Sequence, residues 1–404
     1  MNTDRLIIAL MGIYIFFLPF VHSQKTEWML SCTIFFIIAI YGYELIRNRE
    51  CRQDFAANIK RIVREPFTIL FFILVASMVL SSLYAYNRNT ALKESIRYVF
   101  YFGLYCIIRM RIKEVKYYKY LISISMLSAF FVAVLGIIEF FNIYKTGLTI
   151  MQTLLMSRVK GPMPHPNTLA AYMILIIFPV IVISMNLKGK LRIPFIILDL
   201  MLVFNLAVTY SRNGWIAFLI GVLLLAVLYN WKWIFLYIVP LIYLPFNPVI
   251  FQRIKQLDDN SINEGRLRLW KMALKVIKDH FPLGVGNGNF VQVYDHYTQL
   301  YPNLTVNEPG PLPPHNTYLK IFSEVGIIGV AAFAGMCIDI IRKAYMVKNK
   351  CEGYVKYFYS GFFVSIICFI IMNCFDDLMF IPKASTYFFI FISMMYAMNS
   401  QSEE

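Results

Sequence analysis

Apolar runs long enough to cross a bilayer recur along the whole chain, separated by short polar connections. A hydrocarbon core about 30 Å thick takes about 20 apolar residues per helix. That window predicts twelve helices, near residues 5–22, 27–46, 66–85, 95–109, 120–143, 167–187, 193–210, 213–230, 233–250, 317–341, 357–375 and 384–399, of which 95–109 is short. The expected fold class is all-α, a polytopic membrane protein in three parts: helices one to nine over 1–250, an extracytoplasmic segment over 251–316, and helices ten to twelve over 317–404. No small-residue cleavage site follows the first run and a second apolar stretch comes at once, so 5–22 reads as a retained helix rather than a signal peptide.

Lysine and arginine fall unevenly between alternate connections. The stretches 47–65, 109–119, 188–192, 230–232 and 342–356 hold 20 of them, against 8 in 22–26, 86–94, 144–166, 211–212 and 376–383. Cationic loops stay cytoplasmic, so both termini are expected inside and 251–316 outside. Composition fits: 59% of the 404 residues are hydrophobic and 15% charged, against about 25% charged in a soluble domain. A water-soluble chain is excluded, and the net charge of +15 needs no nucleic-acid partner. The seven cysteines have no CxxC spacing, which argues against zinc. Neither internal repeats nor paired broken helices of the transporter kind are evident.

The chemistry sits where polar groups interrupt this background on the expected outer side. The stretch Ser157-Arg158-Val159-Lys160-Gly161-Pro162-Met163-Pro164-His165-Pro166-Asn167 packs breakers and cations before a helix. Lys160 suits lipid phosphates, whereas Arg158 and Asn167 suggest a site. Arg212, in Ser211-Arg212-Asn213-Gly214-Trp215, lies between two helices with almost no loop. A guanidinium there can hold a lipid diphosphate bidentately or serve as an interfacial anchor. Residues 263–278 read as an amphipathic helix with an apolar face at 267, 270, 274 and 277, its other face holding Arg266, Arg268, Lys271, Lys275 and Lys278. Such a helix can lie on a bilayer surface, and Arg266, at its start, is placed to reach an anion. Gly284-Val285-Gly286-Asn287-Gly288-Asn289 has no Lys-Ser or Lys-Thr after it and reads as a tight turn rather than a phosphate loop.

His315 opens the tenth helix, with Asn316 as its cap, and an imidazole can take a proton at neutral pH. His165 is a second candidate; His22, His280 and His296 show no partner in the sequence. Asp376 and Asp377 lie near Lys383 and could bind a metal, orient a base or neutralise nearby arginines; neutralisation fits best, since no third acidic ligand stands out. Asp199, inside an apolar helix, is an expensive residue without an assignable partner.

These motifs converge. His315-Asn316, nine residues, then Gly326-Ile327-Ile328-Gly329 resembles the His-Asn, x9, Gly-x-x-Gly signature of the bacterial O-antigen ligase family, which also holds O-antigen and capsule polymerases. The resemblance runs through Pro164-His165-Pro166-Asn167, Thr209-Tyr210-Ser211-Arg212-Asn213-Gly214-Trp215, Gly265-Arg266-Leu267-Arg268-Leu269-Trp270 and Phe281–Phe290, over roughly residues 150–400. One departure is Ile216, where the ligase pattern often has Leu. The resemblance implies a metal-independent, cofactor-free, inverting glycosyltransferase of the GT-C type in the bacterial inner membrane. Its donor would be a glycan on undecaprenyl diphosphate. Its acceptor would be the lipid A core (ligase) or another lipid-linked repeat (polymerase). By position, Arg212 and Arg266 would grip the diphosphate and His315 act as base, while Arg158, Asn167, Asn316, Arg268, Asp376 and Asp377 are candidates for diphosphate or glycan contacts. A lipid-linked sugar flippase would instead place charges at mid-depth, where chiefly Asp199 is found.

Overall fold

The computed structural model describes residues 3–21, 24–145, 158–233, 260–306 and 310–399. Among them the chain forms fourteen α-helices: α1 Thr3–Phe17, α2 Gln24–Arg47, α3 Arg49–Ile62, α4 Pro66–Ser81, α5 Arg88–Arg111, α6 Val115–Lys145, α7 Pro166–Asn186, α8 Ile193–Val208, α9 Arg212–Leu228, α10 Asn260–Asp279, α11 Phe290–Leu300, α12 Thr317–Lys350, α13 Gly353–Met372 and α14 Pro382–Asn399. No strand occurs among the described residues. Eleven of the twelve predicted runs coincide with a helix; the twelfth, 233–250, lies outside the described residues. Among the described residues six helices are long and apolar enough to cross a membrane, or seven if the bent pair α3 and α4 is one span. The chain is a multi-pass membrane protein. Its surface agrees: Phe35, Leu200, Val227 and Ile338 are more than 60% exposed, as lipid permits and water does not.

Two expectations need correction. The connection 47–65 is not a loop but helix α3, started by Asn48, whose side chain accepts from the amides of Glu50 and Cys51. Its partly buried Cys51, Phe55 and Ile59 and its buried Ile62 recur every three to four residues and pack on the core, so the run of cations hid a helical period. The short run at 95–109 is the inner part of α5, a helix of 24 residues. Its polar first turns, capped by Asn87, fall below a hydropathy window although they are helical.

Helix α7 is the axis of the bundle. Pro at its first turn and the cap from His165 Nδ1 to the Asn167 amide set its start, since the missing N–H of proline costs nothing there. Nearly every residue from Thr168 to Ser184 is buried, and α13, α8, α9 and α14 surround it. The close fit depends on small residues. A Cβ on Gly361 of α13 would lie 2.2 Å from the Phe178 carbonyl oxygen, and one on Gly221 of α9 would lie 1.9 Å from the Phe178 ring. Small residues of this kind let membrane helices approach closely, where no hydrophobic effect drives them together.

A second, smaller core forms in the segment between α9 and α12. Leu269, Met272, Ala273 and Val276 of α10 bury against Phe290, Val293, Tyr294 and Tyr297 of α11 and Leu304. This shifts the face of α10 in part: of the expected positions Leu267 and Leu274 are about half exposed, while Ile277 is buried with 269, 272, 273 and 276. The helix is amphipathic, but its main apolar stripe meets protein.

Gly361→Ala should therefore force α7 and α13 apart and cost about 1–3 kcal/mol, as overpacking does. Gly42→Ala, where nothing stands within 4 Å of the new carbon, should leave stability unchanged or slightly raised. Thermal unfolding of both variants in detergent checks this; equal midpoints would contradict it.

Candidate active site

The His315 turn is built by a helix start against a helix end. The Asn316 side chain accepts from the amides of Tyr318 and Leu319, both at 3.0 Å, and donates to the Cys374 carbonyl at 2.9 Å. The Thr317 amide donates to Asn373 O and its hydroxyl to Asn373 Oδ1 at 2.7 Å. These bonds clamp the first turn of α12 to the turn after α13. They hold His315 at φ 48°, a left-handed conformation uncommon for a side chain with a Cβ, which a surrounding structure must enforce. Asn316 is thus a cap and a clamp.

The result is a histidine facing two carboxylates. His315 Nδ1 lies 3.4 Å from Asp376 Oδ1 and 3.8 Å from Asp377 Oδ1. The imidazole is 34% exposed and the Asp376 side chain 7%, so one ring edge remains open while the acid is enclosed. Burial alone would lower the histidine pKa, but the hydrogen bond and charge of Asp376 and the charge of Asp377 outweigh it and raise it above 6.5. The carboxylates split. Despite its burial, Asp376 is held below the ordinary range by its hydrogen bond with His315. Asp377 is pushed up by burial and by the Asp376 charge, against the pull of Lys320. The Arg266 charge acts on Asp376, while the Lys383 ammonium donates to the carbonyls of Pro19 and Pro162.

The basic candidates divide. Arg266 is close enough for its charge to lower the pKa of both His315 and Asp376. One turn on, the Trp270 ring packs 6.1 Å from Phe375, beside Asp376. Arg212 begins α9, capped by the Ser211 hydroxyl, and its neighbour Asn213 donates to Met372 O at 3.0 Å, which ties that turn to the end of α13. Arg268 does not join them: it reaches Thr305 O and pairs with Glu264. Asn167 does join, donating to Asp376 Oδ2 at 3.1 Å. Arg158 donates to the Asn167 side-chain oxygen and to Thr209 O. His165 is spent on capping α7, and burial, with the Arg158 charge, lowers its pKa. His280 and His296 are exposed, their rings tilted and edge-on beside Tyr297, and His22 lies outside the described residues. Asp199 is buried beside the Ser184 hydroxyl, 2.8 Å away.

The glycine-rich stretch is more than a turn. Helix α12 breaks at Gly326, which has φ 80°, and Pro282–Phe290 docks into the break. Ile327 N donates to Pro282 O, Val285 N to Ser323 O and Gly286 N to Glu324 O. The fully buried Glu324 carboxylate accepts from Gly288 N, Phe290 N and the Lys320 ammonium at 2.8, 3.2 and 2.9 Å. This is the physical content of the Gly-x-x-Gly element: a Cβ at Gly326 would sit 2.1 Å from Pro282 O. The Lys320–Glu324 pair escaped the sequence reading, although two opposite charges four residues apart at the head of an apolar helix were a visible signal.

With this geometry in place, comparison with known proteins is informative. Residues 196–334 match the family described as O-antigen ligase. Over that stretch, about a third of its length, the chain resembles the O-antigen ligase family. It is similar to the O-antigen ligase of Salmonella typhimurium, with 28% identity over 205 residues, covering 46% of this chain and 49% of that protein. The chain thus aligns with about half the length of that relative. Within the O-antigen ligase match fall Arg212, Arg266, Arg268, His315, Asn316, Gly326 and Gly329; Arg158, Asn167, Asp376 and Asp377 lie outside it and join the site only through the fold.

Gly326→Ala should lose the loop from the break: a left-handed residue with a Cβ costs about 1–2 kcal/mol before any clash. The expected outcome is a lowered unfolding midpoint and faster proteolysis between residues 280 and 290. Wild-type resistance there would refute the docking.

Proposed function

We propose that this protein acts as an O-antigen ligase, transferring a glycan from undecaprenyl diphosphate to a sugar hydroxyl of the lipid A core. The supporting observation is His315 set against Asp376, with the Arg266 charge beside them. Asp376 receives Nδ1–H and leaves the Nε2 lone pair to take the acceptor proton, the arrangement by which a carboxylate fixes an imidazole tautomer. The acceptor oxygen then bonds to the anomeric carbon from the face opposite the diphosphate, and the sugar–phosphate bond breaks with inversion. Its electron pair goes to the departing diphosphate. Arg212 and Arg266 stabilise that growing charge, where fixed cations act more strongly than in water.

In this reading the reaction needs no cofactor and no metal. His315, Asp376 and Asp377 offer ligand-type atoms within 4.8 Å of one another, a grouping the sequence did not suggest. The Asp376 oxygens are already engaged, Oδ1 by His315 and the Asp377 amide and Oδ2 by Asn167. Orientation follows the cation count: termini inside, the His315 end of the bundle on the outer face of the inner membrane, and a GT-C type architecture.

The test supplies purified protein with an undecaprenyl-diphosphate glycan and lipid A core. Release of undecaprenyl diphosphate with glycan-bearing core is expected, unaffected by chelators; product made only from a second lipid-linked repeat would assign a polymerase instead. His315→Ala should lower the rate by about 10²–10⁴, the usual worth of a general base, and Arg212→Ala should abolish transfer without loss of folded protein. Full activity in His315→Ala would sink the assigned base.

The base must be neutral to work, so the rate should fall as pH drops through a His315 pKa lying above 6.5. Asp376→Asn removes the carboxylate that raises it. The acid limb of the rate profile should then move to lower pH while the maximal rate falls; an unmoved limb would contradict the pairing.

A further inference from the structure

Asn167 and Arg158 read from sequence as groups that touch substrate, yet their polar atoms are turned to the protein. Asn167 is the second residue of α7, the most enclosed helix of the bundle, and its amide N–H is fixed on His165 Nδ1 at 3.2 Å. Its side chain spans two partners, accepting from Arg158 Nη2 at 3.1 Å and donating to Asp376 Oδ2 at 3.1 Å. A guanidinium has only donors. Arg158 therefore dictates that the side-chain oxygen faces it and the NH₂ faces Asp376. Arg158 is itself anchored through Nε on Thr209 O at 2.8 Å, next to the Arg212 turn.

We propose that Asn167 is a positioning residue: held by Arg158, it pins one oxygen of Asp376 and so turns the other toward His315. The bonds run Thr209 O, Arg158, Asn167, Asp376, His315, and join four stretches far apart in the chain. The inference rests on His315 being the base. Without Asn167, Oδ2 of the buried carboxylate has lost its anchor and only the Asp377 amide on Oδ1 resists rotation about the terminal bond, a broad torsion, which loosens the 3.4 Å contact to His315. A shift of about 1 Å in such a group can cost on the order of 10²-fold in rate.

A plain tie between α7 and the turn after α13 would show the same bonds, so the test must separate orientation from folding and from substrate contact. Asn167→Ala, the near-isosteric Asn167→Leu, Asp376→Asn and the double variant Asn167→Ala with Asp376→Asn are each purified and checked for monodispersity. kcat and donor KM are then measured. Asn167→Ala and Asn167→Leu are expected to lower kcat by about tenfold or more with donor KM unchanged. In the Asp376→Asn background the Asn167 substitution should cost less than about twofold, because residues acting through one another are non-additive. Additive losses, or a raised donor KM with kcat intact, would overturn the proposal. Should Asn167→Ala not yield folded protein, Asn167→Leu carries the same comparison. The base assignment is tested separately: activity in His315→Ala would remove it, whereas an inactive His315→Ala beside an additive cycle would remove only the positioning role.

Discussion

Helix α12 cannot continue through Gly326, because its φ of 80° turns the chain away from the helical path and the Pro282–Phe290 loop occupies the break. The rest of the site hangs on this interruption. It joins the α10–α11 layer to the bundle, so that Trp270 meets Phe375 and the Arg266 charge reaches His315. A buried carboxylate, Glu324, makes the joint specific. Burying that charge is costly unless it is paired and hydrogen-bonded, and it is both, through Lys320 and two loop amides.

The chemistry then follows from two electrostatic neighbourhoods at one end of the bundle. In one, enclosed carboxylates raise the proton affinity of His315; the other is the positive charge of Arg266 close by. A site that takes a proton from a hydroxyl and receives negative charge on a leaving group needs both kinds, held apart. Helix ends hold them: the turn after α13 carries Asp376 and α7 its partner Asn167, the turn before α12 carries His315, and α9 and α10 carry the arginines. In the proposed reaction such arginines would meet a diphosphate, already a good leaving group, where fixed cations could serve in place of a metal.

The helical fold was legible in the sequence because a bilayer imposes one length and one polarity on every span. It failed where that constraint lapses. α3 lies at 88° to α4 and follows its own amphipathic period, and the first turns of α5 are polar. The face of α10 was misplaced because a period shows that one side is apolar but not whether protein or solvent will cover each position. His315, Arg212 and Arg266 stood out as polar groups in an apolar setting; His315 and Arg212 lie at helix starts, and Arg266 lies in the second turn of α10.

What the sequence determined by itself is the all-helical membrane class, the polar interruptions that hold the chemistry, and the His-Asn…Gly-x-x-Gly pattern. Tertiary structure alone decided the pairings. Asp376 lies 61 residues from His315 and 209 from Asn167, and no local rule links positions so far apart. Their union depends on how α7, α12 and α13 pack, which glycines such as Gly361 and Gly326 permit by leaving room for a neighbouring backbone. Local pattern fixes which groups are available; only close packing fixes which of them share a proton.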